Sequence, residues 1–256
     1  MPPEADLVAS TWRLLAAGGE DSPPRFDAST LEQVPEAAAR WLGRVLPDST
    51  PLVGGIELTM SGQIRIRRWM PFVAEQILRA GVGFVWKPVV GGRVLRFTGA
   101  DLLGPSGGQM EFKLHGVVPV ASASGPDTAR SAAGRLAAET VAWLPQALTP
   151  QAAGRWTHLD ANHAIVTVAA AGEHVDVEVQ IDSRGQLCGL RLQRWKDAAD
   201  PPRFDSFGGP VTGEYVTESG VRIAGTGTVG WGFGTEAWGD GEFFRYTITG
   251  ARALDR

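Results

Sequence analysis

The chain has 256 residues, of which 43% are hydrophobic and 20% charged, and its 33 glycines and 17 prolines favour many turns over long helices. Its formal charge of −4 and pI near 5.6 argue against nucleic acid as a partner, because nucleic-acid-binding domains usually present a basic face. The single cysteine, Cys188, excludes an internal disulfide and a cysteine-based zinc site.

The first predicted element is a short amphipathic helix followed by a loop. Its apolar side is formed at helical spacing by Leu7, Val8, Thr11, Trp12 and Leu15. Gly18 and Gly19 then punctuate its end. We expect residues 1–28 to form this N-terminal helix and linker, and residues 29–256 to form a single domain.

The N-terminal sequence does not resemble an export signal. Acidic residues precede its apolar part and Arg13 interrupts it, whereas a secretory signal has a basic start and an uninterrupted apolar region. No run of about 20 apolar residues occurs elsewhere. We therefore expect a cytoplasmic protein without an integral membrane segment.

A second helix and a first strand follow. In "EQVPEAAARWLGRVLP" the apolar residues form one helical stripe, Pro35 suits the first turn, and Pro47 ends the helix. In "IELTMSGQIRIRR" the period changes to two, which predicts a half-buried antiparallel strand, bent or turned at Gly62.

The stretch "RRWMPFVAEQ" is interpreted as a small helix over residues 71–80. Pro71 suits its first turn and Gly81 the position after its last. The spacings of three, four and seven connect Trp69, Phe72, Val73, Gln76 and Ile77. An amide on this apolar stripe must be hydrogen-bonded, so Gln76 either ties the helix to the sheet or lines a cavity next to a polar ligand group.

The remaining elements define the fold class. "DTARSAAGRLAAETVAWLPQ" predicts the clearest helix, with Leu136, Thr140 and Trp143 on one side and Pro145 at its end. The second half reads as antiparallel strands, with the best hairpin turning at "DSRG". These patterns predict an α+β fold, in which a few helices cover a strongly curved, half-barrel-like antiparallel β-sheet.

Three motif matches lack the context that their chemistry needs. Ser106 in "GPSGG" and the glycines of "GTGTVG" are not followed by the helix that a nucleophile elbow or a dinucleotide site requires. His158, Asp160 and His163 do not match a metal-binding spacing. We expect neither a metal ion nor a cofactor.

Carboxylates and tryptophans are the remaining candidates for a site. Glu75, Asp101 and Glu139 lie near apolar sequence and become candidate general acids if two of them are buried as a pair, although most such carboxylates lie at the surface. The nine tryptophans suit either the seam between helices and sheet or the wall of an apolar cavity.

Several segments resemble a bacterial family of unknown function. They are the W-x-P-F-x-A-x-Q element at residues 69–76, the G-F-x-W strand at 83–86 and the W-x-P after the helix at 143–145. The order of elements is also similar to lipoprotein-carrier folds, in which a curved sheet and covering helices enclose an apolar cavity. The resemblance to these carriers implies a lipid-binding interior.

The leading hypothesis is a non-catalytic binder of an apolar small molecule or lipid. There are two alternatives: an enzyme that uses a buried carboxylate in the same cavity, and a structural or interaction module with a filled core. The candidate ligand-binding residues are Trp69, Phe72, Gln76, Trp86, Arg65, Asp101, Glu139 and Trp143. Arg65 and Arg67 lie on the polar side of their strand, where we expect them to be solvated, and they meet an anionic head group only if the cavity opens beside them.

Overall fold

The computed structural model describes residues 4–18 and 22–254 of the chain. Its helices are α1 Glu4–Ala16, α2 Glu36–Val45, α3 Pro126–Trp143 and the single turn α4 Trp238–Gly241. The three long helices confirm the helical patterns read near residues 7–15, 35–45 and 128–144. Gly19, predicted to follow the first helix, lies outside the described residues.

The strands of the described chain form one antiparallel sheet of thirteen. They are β1 Gly55–Arg65, β2 Trp69–Arg79, β3 Gly83–Gly91, β4 Arg96–Gly104, β5 Gly107–Leu114, β6 Val118–Ser124, β7 Arg155–His158, β8 His163–Ala170, β9 Glu173–Ile181, β10 Leu187–Lys196, β11 Arg203–Val216, β12 Arg222–Trp231 and β13 Glu242–Leu254. Their spatial order is β6-β5-β4-β3-β2-β1-β13-β12-β11-β10-β9-β8-β7. Two meanders are therefore joined where β1 pairs with β13.

The sheet curves around α3, which connects the two meanders. This helix contacts β2 to β6 of one meander and β8, β9, β10 and β12 of the other. α2 lies beside it, against β7, β8, β9 and β12. Since one helix touches both halves of the sheet, the sheet face beneath α3 is concave. The predicted α+β fold with a curved antiparallel sheet is confirmed.

α1 covers part of the opposite, convex face. Its Leu15 is fully buried and packs in a separate small cluster against Ile77, Val85 and Leu102. Lys87 of β3 lies over the Trp12 ring at 4.0 Å from its centroid. The strands beneath α1 are therefore covered on both faces.

The helix predicted over residues 71–80 is wrong, because this stretch is strand β2. Met70, Phe72 and Ala74 are buried on the concave face, while Val73 is 58% exposed on the other. Each residue from Trp69 to Arg79 pairs with β1. A period of two therefore governs the segment, and the spacings of three, four and seven are incidental.

Two residues that suggested a break in the chain are accommodated inside strands. Pro71 lies beyond Phe72, the last β2 residue to pair with β3, so its missing N–H removes no bond from that ladder. Gly62 lies within β1, where an added Cβ atom would approach the Arg245 carbonyl oxygen to 1.9 Å. The glycine permits close contact with β13, and the strand does not turn there.

The hairpin between β9 and β10 confirms the turn predicted at "DSRG". Asp182 Oδ1 accepts hydrogen bonds from the N–H groups of Arg184 and Gln186. Within residues 4–18 and 22–254, no helix has both the length and the apolar character needed to cross a membrane.

Candidate functional site

A cavity of about 450 Å³ lies between α3 and the concave face of the sheet. Most of its wall is apolar, and its larger apolar side chains include Ile64, Val90, Phe97, Met110, Phe112 and Phe243. On the helix side, Ala138 and Ala142 present only methyl groups to the space. The helix side chains therefore leave part of the space between α3 and the concave face unfilled.

A buried ion cluster forms the polar part of the wall. Arg135 of α3 donates from Nη1 to Asp101 Oδ2 at 2.6 Å and from Nε to Glu139 Oε1 at 2.7 Å. The three side chains are only 13–20% exposed. Since Asp101 belongs to β4 and the other two residues to α3, the cluster ties the helix to the sheet.

Gln76 extends this cluster beneath the helix. It is fully buried in β2, and its Nε2 donates to Glu139 Oε2 at 2.6 Å. Arg135 Nη2 donates to its Oε1 at 3.3 Å. Of the two roles predicted for this amide, the structure supports a tie between sheet and helix, although the helix that it ties is α3.

Burial and charge pull the Glu139 carboxyl in opposite directions. Burial raises its pKa above the ordinary value of 4.5, although Arg135 and Gln76 favour the ionised form and so oppose the rise. Burial and the Glu139 charge also raise the pKa of the neighbouring Tyr246 hydroxyl. The loss of hydration on burial is therefore the largest influence on the pKa of both groups.

The raised pKa of Glu139 predicts a pH-dependent contribution to stability. A carboxyl whose pKa is raised on folding contributes stability that is complete below its ordinary pKa and is lost as the pH rises through the folded value. We expect the free energy of unfolding of the wild type, relative to that of Glu139→Gln, to fall as the pH rises above the ordinary pKa of 4.5 and through the raised pKa of the folded protein. Urea denaturation of both proteins at several pH values measures this difference, and a difference that grows with pH contradicts the prediction.

An aromatic cluster lines the sheet side of the cavity. Phe72 and Phe244 are stacked with ring centroids 4.9 Å apart, and Trp86 meets both rings edge to face at 5.9 Å. Trp86 is 5% exposed, and its indole N–H has no acceptor within the described part of the chain. The ring cluster beside the cavity therefore contains a buried donor without a hydrogen-bond partner among the described residues.

The cavity opens near the end of β1. Ile66, which follows β1, lines it and is 57% exposed, and Val120 of β6 also lines it and is 49% exposed. A shallow neighbouring hollow shares Ile66 and Phe243 with the cavity and is also lined by Arg65, Arg67 and Lys196. The mouth is therefore an apolar rim with Arg65, Arg67, Lys196 and the acidic Asp240 beside it. A head-group role for Arg65 and Arg67 stays a prediction.

The structure brings together most of the predicted ligand-binding residues. Trp86, Asp101, Glu139 and Trp143 line the cavity. Phe72 and Gln76 lie against the lining residues Trp86 and Glu139, as described above. Arg65 lies on the rim, and its guanidinium carbon is 5.7 Å from the centroid of Trp69.

Trp69 also packs outside the cavity. It is half-buried, and the guanidinium carbon of Arg245 lies 4.2 Å from its ring centroid. Its place on β2 has the opposite parity to Phe72 and Gln76, so the strand directs it to the other face. The helical interpretation had grouped these three side chains on one stripe.

Two arginines in the wall were missed by the sequence interpretation. Arg135 and Arg194 both line the cavity. Arg135 stands four residues before Glu139 on α3, and this spacing alone predicts an ion pair. Leu190, Leu192 and Arg194 occupy every second position of β10, which places all three side chains on one face of the strand.

The structure places the rejected motifs within the sheet and its turns. Ser106 lies in the tight turn between β4 and β5, and residues 225–230 lie inside β12. His163 Nδ1 is 2.9 Å from Asp160 Oδ1, a local contact. Across residues 4–18 and 22–254, no three His, Cys, Asp or Glu side chains are grouped so as to hold a metal ion.

Comparison with known proteins gives a family without an assigned function. A sequence model described as "Family of unknown function (DUF6544)" matches residues 24–243, which confirms the predicted resemblance to an uncharacterised family. No curated protein matches the chain.

Several solved structures are similar to the chain at low sequence identity. A putative outer membrane lipoprotein-sorting protein domain from Vibrio parahaemolyticus is 10% identical, with 87% of this chain and 93% of that chain covered and a TM-score of 0.44. A DUF1329 family protein from Desulfovibrio piger is 9% identical, with 91% and 94% covered and a TM-score of 0.43. A LolA superfamily protein from Nitrosomonas europaea is 9% identical, with 89% and 93% covered and a TM-score of 0.43.

Proposed function

We propose that this chain, which belongs to the DUF6544 family of unknown function, binds an apolar small molecule or lipid acyl chain in the cavity under α3 and catalyses no reaction on it. The observation that carries this proposal is the cavity itself, a mostly apolar space of about 450 Å³. Ligand sites in proteins commonly measure about 300–1,000 Å³ and are lined mainly by apolar and aromatic side chains. Protein cores, in contrast, are close-packed, with few voids larger than a water molecule.

The energetics of the wall favour an apolar guest. Burial of apolar surface contributes roughly 25 cal/mol per Å². An acyl chain that enters the cavity removes from water both its own surface and the rings of Phe112, Phe243 and Phe244, which line it. The methyl groups of Ala138 and Ala142 leave the room that such a chain needs.

The hydrogen bonds of the carboxylates support a binding role over a catalytic one. Arg135 occupies one oxygen of Asp101 and one of Glu139, and Gln76 occupies the second oxygen of Glu139. A general acid or base must lie within hydrogen-bond reach of the group that it protonates or deprotonates. Since protein donors engage three of the four oxygens, including both of Glu139, we assign the carboxylates to holding α3 on the sheet.

The proposal is tested by titration of the purified chain with 1-dodecanol and with sodium dodecanoate. Isothermal titration calorimetry measures the affinity, and native mass spectrometry of the same samples reports the number of molecules bound. We expect one molecule of either amphiphile to bind with a negative heat-capacity change, because apolar surface is buried. If neither compound binds, the binding proposal is wrong.

Two further expectations from the sequence belong with this proposal. We propose that residues 29–256 act as one domain, since α2, α3 and all thirteen described strands lie within that range. The cytoplasmic location expected from the sequence stays a prediction.

A further inference from the structure

Arg194 reaches into the cavity from β10 and is fixed there by α3. Its Nε donates to the Ser131 carbonyl oxygen at 2.9 Å, and its Nη2 lies 3.3 Å from Ser131 Oγ. An added Cβ at Gly134 would approach Arg194 Cγ to 2.8 Å, so the missing side chain at Gly134 lets the arginine lie against the helix. The guanidinium is therefore held in one place before any ligand arrives.

The contacts with Ser131 use one edge of the guanidinium and leave another edge available. Nε and Nη2 form the side that faces Ser131. Neither N–H of Nη1 has an acceptor among the described residues, so the end-on pair Nη1 and Nη2 remains able to donate. This pair has the fork geometry that binds two oxygens of a carboxylate or phosphate.

Arg194 also lacks a direct counter-ion, in contrast to Arg135. Within residues 4–18 and 22–254, no carboxylate oxygen lies within 4.0 Å of its nitrogens, whereas two carboxylates hold Arg135. Its charge lies instead over the rings of Phe207, at 4.5 Å from the centroid, and Trp231, at 5.5 Å. A cation in an apolar wall without a paired anion is costly, and a bound anion relieves that cost.

We propose that the ligand is an amphiphile whose anionic oxygen head group, a carboxylate or a phosphate monoester, is held by Arg194 while its tail lies in the apolar cavity. This inference rests on the proposed binding function and adds the class of ligand. The ion cluster at Arg135 does not compete for the head group, because Asp101 and Glu139 already neutralise that arginine.

Charges between the mouth and Arg194 support an anionic head group. Lys196 follows Arg194 by two residues on β10, so both side chains lie on the same face of the strand. The Lys196 Nζ lies 4.8 Å from the centroid of Trp231, the ring that Arg194 also contacts. Arg65, Arg67 and Lys196 line the hollow beside the mouth together with one acidic residue, Asp240. Cations therefore outnumber carboxylates along this path, although Lys196 also pairs with Asp205 at 2.9 Å.

The protonation of Arg194 is compatible with this role. Burial, and then the positive charge of Arg135, lower its pKa to about 10. The guanidinium therefore stays charged at neutral pH, while its incomplete hydration strengthens its attraction for an anion.

The experiment compares three probes with the same alkyl chain, dodecanoate, dodecyl phosphate and 1-dodecanol, by isothermal titration calorimetry of the full chain at neutral pH. We expect the wild type to bind at least one of the two anions about tenfold or more tightly than the alcohol, because hydrogen bonds to charged groups are the strong ones. The more tightly bound anion identifies the head-group type. Arg194→Gln should bring the affinities for all three probes to within about twofold of one another.

A matched control and a second variant keep the test specific. Arg191→Gln removes an arginine of the same strand that pairs with Glu178 outside the cavity, and it should retain the preference for the anion. Arg194→Lys keeps the charge without the fork, so it should still bind the preferred anion more tightly than 1-dodecanol, but by a smaller factor than the wild type does. This variant also provides the test if Arg194→Gln does not fold.

The outcomes separate this inference from the proposed function. Equal binding of anion and alcohol by the wild type, or an unchanged anion preference in Arg194→Gln, overturns the role of Arg194 and leaves apolar binding in place. If none of the three probes binds, both the proposed function and this inference are wrong.

Discussion

Replacement of Arg135 by methionine is expected to lower the free energy of unfolding by about 3–5 kcal/mol, as typically occurs when one partner of a buried ion pair is removed. The variant leaves Asp101 and Glu139 without the cation that both contact at 2.6–2.7 Å. It also removes a donor to Gln76, which is fully buried. Urea denaturation followed by circular dichroism measures the change.

Two comparisons make this prediction specific to the buried cluster. Arg252→Met removes an arginine that is 67% exposed and pairs with Glu57, so it should cost no more than about 1 kcal/mol. In the triple variant Arg135→Met/Asp101→Asn/Glu139→Gln, no buried charge of the cluster is left unpaired, and we expect it to recover part of the loss. A cost for Arg135→Met as small as that for Arg252→Met would show that the cluster does not hold α3 on the sheet.

The elements that could be predicted from the sequence are those with one dry face and one wet face. The β9–β10 hairpin alternates apolar and polar residues and turns at Asp182–Gly185, and both features are local. α3 is an exception, because from Ser131 onwards it is buried on nearly every side, and a proline at each end, Pro126 and Pro145, marks its limits instead. Where the pattern and the punctuation agree, the sequence is sufficient to identify the element.

β2 was misinterpreted because α1 covers part of its outer face. Gln76, Ile77 and Leu78 are all fully buried, Gln76 and Leu78 under the concave face and Ile77 under Leu15. Burial on both faces removes the alternation at residues 76–78, and before them the apolar but exposed Val73 obscures it. A continuous apolar run does not distinguish strand from helix. The docking of α1 is a tertiary contact between residues about 60 apart, which no local pattern reveals.

Several residues of the site could be predicted from the sequence, but their arrangement in space could not. Gln76, Asp101 and Glu139 were each singled out as polar residues near apolar sequence, but they come together only because Arg135 joins a helix to two strands. The separations of 34 residues between Asp101 and Arg135 and 63 between Gln76 and Glu139 depend on the topology of the sheet. The alternation of Leu190, Leu192 and Arg194 was visible in the sequence, yet its importance depends on the empty space that the arginine faces.

The double variant Ala138→Phe/Ala142→Phe is expected to lower the affinity for 1-dodecanol at least about a hundredfold, because two rings would occupy space that the alkyl chain needs. Both alanines line the cavity one helical turn apart on α3. Calorimetric titration measures the loss of binding. Val73→Phe, on the exposed face of β2, adds a ring outside the cavity and should leave the affinity unchanged.

Single substitutions of two neighbouring alanines on α3 test, through their effect on stability, whether the cavity is unfilled. Ala137 is fully buried in the close-packed core and does not line the cavity, so Ala137→Phe should destabilise the fold by about 1–3 kcal/mol or more through overpacking. Ala138→Phe carries the same loss of helix propensity but places its ring in the hollow, so its free energy of unfolding should stay within about 1 kcal/mol of the wild type. If both single variants are destabilised equally, the concave face is already filled around α3, and a bound acyl chain has no place there.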